Sequence, residues 1–77
     1  MKTPEFTPAI ERILQLSIIE AVNRGSDFVG VDHLMAGIIM EGNNFGYLVL
    51  SDSGITLERI RHQSIRNENQ PTPSKTT

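Results

Sequence analysis

Apolar residues recur at helical spacing from Ile10 onward: Ile10, Ile13, Leu14, Ile18, Ala21 and Val22 share one arc of a helical wheel, interrupted by Ser17. The helix this predicts opens at Thr7, whose hydroxyl can accept from a free first-turn amide, with Pro8 at the first helical position, where a missing N–H costs nothing. It runs to about Arg24 and stops at Gly25. The arc is the expected core face. Leu16 and Ile19 lie off it, three residues apart and so neighbours on the opposite side of the helix. Isolated apolar residues are ordinary on protein surfaces, and a second contact surface is the competing reading.

Three more helices follow. The second covers about 32–40, with Leu34, Met35, Ile38 and Ile39 expected to face inward and Ala36 and Gly37 keeping the backbone slim. A helical glycine costs about 1 kcal/mol relative to alanine, so Gly37 marks a close helix approach, and this is the expected most buried helix. The third, about 44–53, carries Phe45, Leu48 and Val49 on one face with Tyr47 and Leu50 beside them, and ends at Gly54. The fourth starts at Thr56 as cap, with Ile55 and Ile60 placed as a hydrophobic staple, and fades near Arg66. No strand is needed. The prediction is an all-α, small four-helix bundle over residues 1–66, followed by a disordered tail or linker over 67–77, where NENQPTPSKTT has no apolar anchor.

Composition narrows the function. A domain within 77 residues buries only about 60% of the surface its unfolded chain exposes, which leaves little room for an enclosed substrate cavity. Without cysteine there are no disulfides, thiol nucleophiles or metal-thiolate sites. The net charge is −2 and the seven basic residues are scattered, which argues against nucleic acid as a partner. The start, MKTPEFTPAIER, lacks the apolar core of a secretory signal, and the longest apolar run, Leu34 to Met40, is too short to cross a bilayer. A cytoplasmic protein without membrane contact is expected.

Asp32 and His33 are the residues most suggestive of chemistry. Being adjacent, they point about 100° apart on a helix, unlike metal ligands spaced by three or four. No GxSxG or GxxxxGK pattern accompanies them, and GNNFG lacks both the lysine and the preceding strand of a phosphate loop. The structural reading is stronger: Asp32 caps the second helix and His33 tucks against its neighbour with one ring nitrogen bonded to backbone. Neither catalysis nor a cofactor is expected.

The stretch FTPAIERILQLSIIEAVNRGSDFVGVDHLMAGIIMEGNNFGYLVLSDSGITLERIR, residues 6–61, resembles the Clp repeat of the N-terminal domains of ClpA, ClpB and ClpC chaperones. The resemblance rests on Phe6, Thr7, Pro8, Leu14, Ala21, Gly25, Val29, Gly30, His33, Leu34, Gly37, Glu41, Gly42, Val49, Leu50, Gly54 and Leu57. It implies four short helices per repeat, usually two repeats about a pseudo-twofold axis. Only one repeat is present, so pairing with a second copy, or a cut from a longer chain, is implied.

The family domain is not an ATPase; it recruits clients and adaptors to the ATPase ring, and small chloroplast members attach to the protease core. In ClpC-type domains the Thr of FTP and the Glu of GTEH help hold phosphorylated arginine, which makes Thr7 and Asp32 candidate ligand- or client-binding residues. Val31 stands where the family has a threonine cap, which passes capping to Asp32 and leaves its carboxylate less free for a guanidinium. Ile19, Val22 and Met40 replace residues the family usually has charged, and Ile10 one it has small. With Leu16, they form the candidate protein interface.

The resulting expectation is a non-enzymatic protein-binding module of the Clp chaperone and protease system, an accessory, adaptor or client-docking domain. Its partners would be Clp ATPase or protease subunits, adaptors or clients, and a second copy. Its location would be the cytoplasm, or the chloroplast stroma for a plant chain. The alternative is a homodimeric helical regulatory protein with helix-turn-helix style nucleic-acid binding, which the acidic balance disfavours.

Overall fold

Side chains that cap helices set the ends of the four elements. In the computed structural model, which describes residues 2–67, these are α1 (Pro8–Asn23), α2 (Val31–Glu41), α3 (Phe45–Asp52) and α4 (Leu57–Asn67). Thr7 Oγ1 accepts the Ile10 N–H at 3.2 Å, Asn44 Oδ1 that of Tyr47 at 2.7 Å, and Thr56 Oγ1 that of Arg59 at 3.1 Å. Each satisfies a first-turn amide that has no partner within its helix. Gly25 follows α1 at φ +71°, and Gly42 closes α2 at φ +72° with its N–H on the Ile38 carbonyl, a conformation other residues rarely adopt. No strand occurs among the described residues. The fold is the all-α four-helix arrangement the periodicity predicts; of the expected tail, Asn67 is the last residue of α4 and 68–77 lie outside the described residues.

The cap of α2 corrects the sequence reading. Gly30, not Asp32, is the N-cap residue, and His33 reaches back so that Nδ1 accepts the Gly30 N–H at 3.0 Å. A histidine at this third helical position performs the return bond of a capping box. Asp32 is thereby released from capping. A side chain on Gly30 would start 2.7 Å from Asp32 Oδ1, which explains the bare backbone there.

α1 and α2 form an antiparallel pair. Arg12 meets Glu41 at one end, Ile13 and Ser17 meet Gly37 in the middle, and Glu20 and His33 share the other end. A Cβ built on Gly37 would lie 2.5 Å from Ser17 Oγ, 2.7 Å from the Ile13 carbonyl oxygen and 3.1 Å from Ser17 N. The expected close approach is therefore present, and small residues create it: helix separation depends on the side chains at the crossing.

The expected core face of α1 is observed only in part: its Ile13 and Ala21 face inward, and its other four residues do not. Buried on α1 are Ile13, Ser17, Glu20 and Ala21, while Ile10, Leu14, Ile18 and Val22 are exposed. Ser17 was expected to interrupt the apolar arc; it is 0% exposed, its hydroxyl donating to the Ile13 carbonyl at 2.7 Å so that no polar atom is stranded. A serine fits a narrow crossing where isoleucine would hold the helices apart. On α2, His33, Ala36 and Gly37 are buried and Leu34, Met35, Ile38 and Ile39 are only half-buried. The fourth helix contributes Ile60 and Ser64. On α3, no residue is fully buried, and Phe45 is 80% exposed.

α2 is the element against which the others pack. At backbone range α1, α3 and α4 each lie against α2, and none lies against another. α3 comes close through Gly46, where a Cβ would stand 3.1 Å from Ile38 Cγ2. α1 and α4 are joined instead by long polar side chains.

Candidate functional site

Three polar clusters and a set of exposed apolar residues are candidates for function. The first cluster sits where α2 begins. Asp32, freed by the His33 cap, turns to α4 and accepts the hydroxyl of buried Ser64 through Oδ2. Burial pushes the Asp32 carboxyl up, and the Ser64 hydroxyl with the other nearby donors more than offsets this, so it stays below its ordinary value. His33 Nδ1 stands 3.7 Å from Asp32 Oδ1, but this nitrogen already accepts the Gly30 N–H and carries no proton to share. Serine, histidine and aspartate are all present, yet the serine bonds the carboxylate directly and the histidine bonds backbone, so the three do not line up as a serine–histidine–aspartate relay. The cluster locks α4 onto α2. Removing the cap with His33→Ala is expected to cost about 1 kcal/mol, a fall of about 4–8 °C in thermal midpoint measured by circular dichroism.

The second cluster joins α1 to α4. Glu20, 3% exposed, receives both arms of the Arg61 guanidinium, Nε to Oε2 and Nη2 to Oε1, each at 2.9 Å. Arg24 adds an Nη2 donor to the Arg61 carbonyl at 3.2 Å. The hydrogen bond from Arg61 holds the Glu20 carboxyl below its ordinary value against the opposing effect of burial, and the same contact raises Arg61. Forked pairing of this kind is the strongest form of an Arg–carboxylate contact.

The third cluster fixes the turn into α3. Glu41 accepts from Arg12 Nε and Nη2, from the Asn43 backbone and from Asn44 Nδ2, which also reaches the Ile38 carbonyl. Asn44, Arg12 and Asn43 together lower the Glu41 carboxyl. Among the described residues no three His, Cys, Asp or Glu side chains converge as metal ligands. No helix there is long and apolar enough to cross a membrane.

The candidate ligand residues do not converge within one chain. Thr7 opens α1 with its hydroxyl committed to the Ile10 amide, while Asp32 is engaged with Ser64. The antiparallel register puts them at opposite ends of the α1–α2 pair, about 20 Å apart along its axis at 1.5 Å per residue. A single small group cannot touch both.

Of the candidate interface residues, Ile10, Ile19 and Val22 are exposed, and Leu16 and Met40 are half-buried. Exposed as well are Leu14 and Ile18, assigned to the core face of α1 from sequence, Phe45, Leu48 and Val49 on α3, and Phe6, Phe28, Val29 and Val31. The signal that could have found them was the row of small residues, Ser17 and Ala21 against Ala36 and Gly37, which shows which side of α1 meets α2.

Comparison with known proteins gives this surface a context. Residues 2–76 match the family model described as the Clp repeat (R) N-terminal domain. The chain is 39% identical over 61 residues, 79% of its length, to an ATP-dependent Clp protease ATP-binding subunit ClpA homolog of Guillardia theta, covering 7% of that protein. It is 32% identical over 65 residues, 84% of its length, to the negative regulator of genetic competence ClpC/MecB of Bacillus subtilis, covering 8% of it. Identity to the chloroplastic chaperone protein ClpC1 of Arabidopsis thaliana is 39% over 61 residues, 79% of the chain and 7% of that chaperone. The chain thus spans less than a tenth of each of these relatives.

Proposed function

The chain belongs to the Clp repeat (R) N-terminal domain family, and from that premise we propose that it is a protein-docking module of the Clp chaperone and protease system. It works without chemistry of its own, by burying an apolar helix surface against a Clp ATPase or protease subunit, an adaptor or a client, and it pairs with a second copy of itself. The relatives' names place ATP binding and proteolysis in far longer proteins, which is why those activities are not assigned to this module.

The observation that carries the reading is the imbalance of apolar burial. Among the described residues twelve large apolar side chains are exposed, whereas the fully buried apolar residues are Ile13 and Ile60 with two alanines, Ala21 and Ala36. Apolar exposure well beyond apolar burial on a small protein points to a contact site. The exposed set includes aromatic residues, Phe6, Phe28 and Phe45, a residue type enriched at protein interfaces.

The test is capture from the source organism's cytosol on immobilised protein, with and without ATP, followed by mass spectrometry. A Clp ATPase or its protease core is expected, with recovery falling several-fold for Phe45→Asp. Recovery of unrelated proteins only, undiminished by that substitution, would sink the docking reading.

A further inference from the structure

We propose that the row Ile10, Leu14, Ile18 and Val22 on α1 is covered by the same row of a second copy, the two α1 helices running antiparallel about a twofold axis. This deepens the docking reading and rests on it only in taking exposed apolar surface as a protein contact.

Residues spaced by four form one of the ridges by which helices pack into each other's grooves. Each step of four turns about 40° around the helix, so the row leans along one flank of α1. Glu20, which meets Arg61 of α4, lies roughly 140° away from the middle of that row, and the flank is free of α4. Exposure grows along it, from 38% at Ile10 and 39% at Leu14 to 52% at Ile18 and 67% at Val22.

The row is evenly spaced and wholly apolar, so it reads alike in both directions. That is the property a twofold interface needs, because the same patch must complement itself. An axis between Leu14 and Ile18 sets Leu14 against the partner's Ile18 and Ile10 against the partner's Val22, every contact apolar. Two interdigitating ridges of this class cross at about −50°, which concentrates contact at Leu14 and Ile18.

Charge selects the direction. Glu11 is the single charged residue on this flank of α1. Antiparallel pairing separates the two Glu11 positions by ten residues, about 15 Å along the axis, beyond the Debye length of about 8 Å at physiological salt. Parallel, in-register pairing would place two carboxylates side by side. Four aliphatic side chains crossing at such an angle cover less than the roughly 800 Å² per partner of a standard specific interface. The pair is therefore reversible and depends on concentration.

Sedimentation of the purified chain from micromolar to millimolar concentration is the test, with cysteine pairing to fix the register. The mass is expected to double across that range. Ile18→Asp, with helicity checked by circular dichroism, is expected to weaken association by at least about tenfold, one buried-charge penalty of about 1.4 kcal/mol. Mixed Leu14→Cys and Ile18→Cys chains are expected to oxidise to the heterodimer in preference to either homodimer.

A monomer at all concentrations overturns the pairing. So does undiminished association of folded Ile18→Asp, which would move the contact elsewhere, or preferential self-linking of Leu14→Cys, which would make it parallel. If Ile18→Asp fails to fold, the cysteine mixture decides. A monomer that still captures a Clp subunit removes this pairing and leaves the docking reading; a dimer that captures none does the reverse.

Discussion

Gly37→Ala is expected to lower the thermal midpoint by about 10 °C, although alanine is the better helix former. The new methyl group would meet Ser17 Oγ at 2.5 Å, the Ile13 carbonyl oxygen at 2.7 Å and Ser17 N at 3.1 Å. The hydroxyl could rotate, but the carbonyl and amide belong to the backbone of α1, so the helices must separate. Overpacking costs roughly 1–3 kcal/mol, and a separated pair also loosens contacts at Ala21 and Ala36. Helix propensity returns at most about 1 kcal/mol, leaving a net loss of about 2 kcal/mol. In a domain of this size each kilocalorie shifts the midpoint by about 4–8 °C. Ser17→Ala in the same chain is expected to relieve only part of the loss, since the Ile13 carbonyl stays. A midpoint raised by Gly37→Ala alone would mean that the two helices do not approach this closely.

Arg61→Ala carries the second large effect, and its dependence on pH identifies the cause. Glu20 is buried, and removing its forked partner strands a carboxylate in the interior. Breaking a fully buried pair costs about 3–5 kcal/mol; with 42% of the Arg61 side chain exposed, about 2–3 kcal/mol is expected near neutral pH. In the wild type the Glu20 carboxyl is held below its ordinary value of 4.5. Its contribution is thus present above that value and lost as pH falls through the lower folded value.

In Arg61→Ala burial is the largest influence left on Glu20 and pushes the carboxyl up, opposed by the smaller effect of the Arg24 charge. Acid then relieves the variant by neutralising Glu20 while it strips the wild type of its pair. Urea unfolding at pH 7 and at pH 4 or just below should therefore find a wide gap between the two proteins that closes on acidification. A gap independent of pH would mean that Arg61 acts through packing and not through charge. Glu20→Gln combined with Arg61→Ala is expected to recover part of the loss at neutral pH, because the amide leaves no charge to strand.

The parts of this fold legible in the sequence are those decided locally. Thr7, Thr56 and the glycine at 25 placed their helix ends within a residue or two because a cap bonds within its own first turn. Gly37 was legible for a related reason: a glycine inside a helix is unfavourable unless something needs the space. The inward face of α1 was only partly legible from hydrophobicity, which found Ile13 and Ala21 and missed Ser17 and Glu20. An apolar arc reveals which side avoids water without revealing whether the same chain or another covers it. Here the crossing is made by Ser17 and Ala21, and the isoleucines beside them are left to face outward.

The candidate site was partly legible. Thr7 and Asp32 could be located by resemblance, and Ile19 and Val22 by their departure from the family's charged positions. The partners that occupy Asp32 and Glu20 come from residues 32 and 41 positions away, a distance no local pattern spans. Nor did the sequence reveal that histidine would take the cap and free the aspartate. That exchange depends on the ring of His33 lying close enough to the Gly30 amide, which only the folded turn determines.

The arrangement of three helices around α2 has a consequence for how the molecule opens. Because α1, α3 and α4 each lie against α2 and not against one another at backbone range, their release is not one concerted event. α3, with no fully buried residue, forms the least protected unit and exchanges its amide hydrogens first. α4 follows only when the bonds of Arg61 and Ser64 part. The α1–α2 crossing at Gly37 outlasts both, so the smallest lasting remnant of the native state is a hairpin of two helices, with the other pair free to adjust to whatever docks.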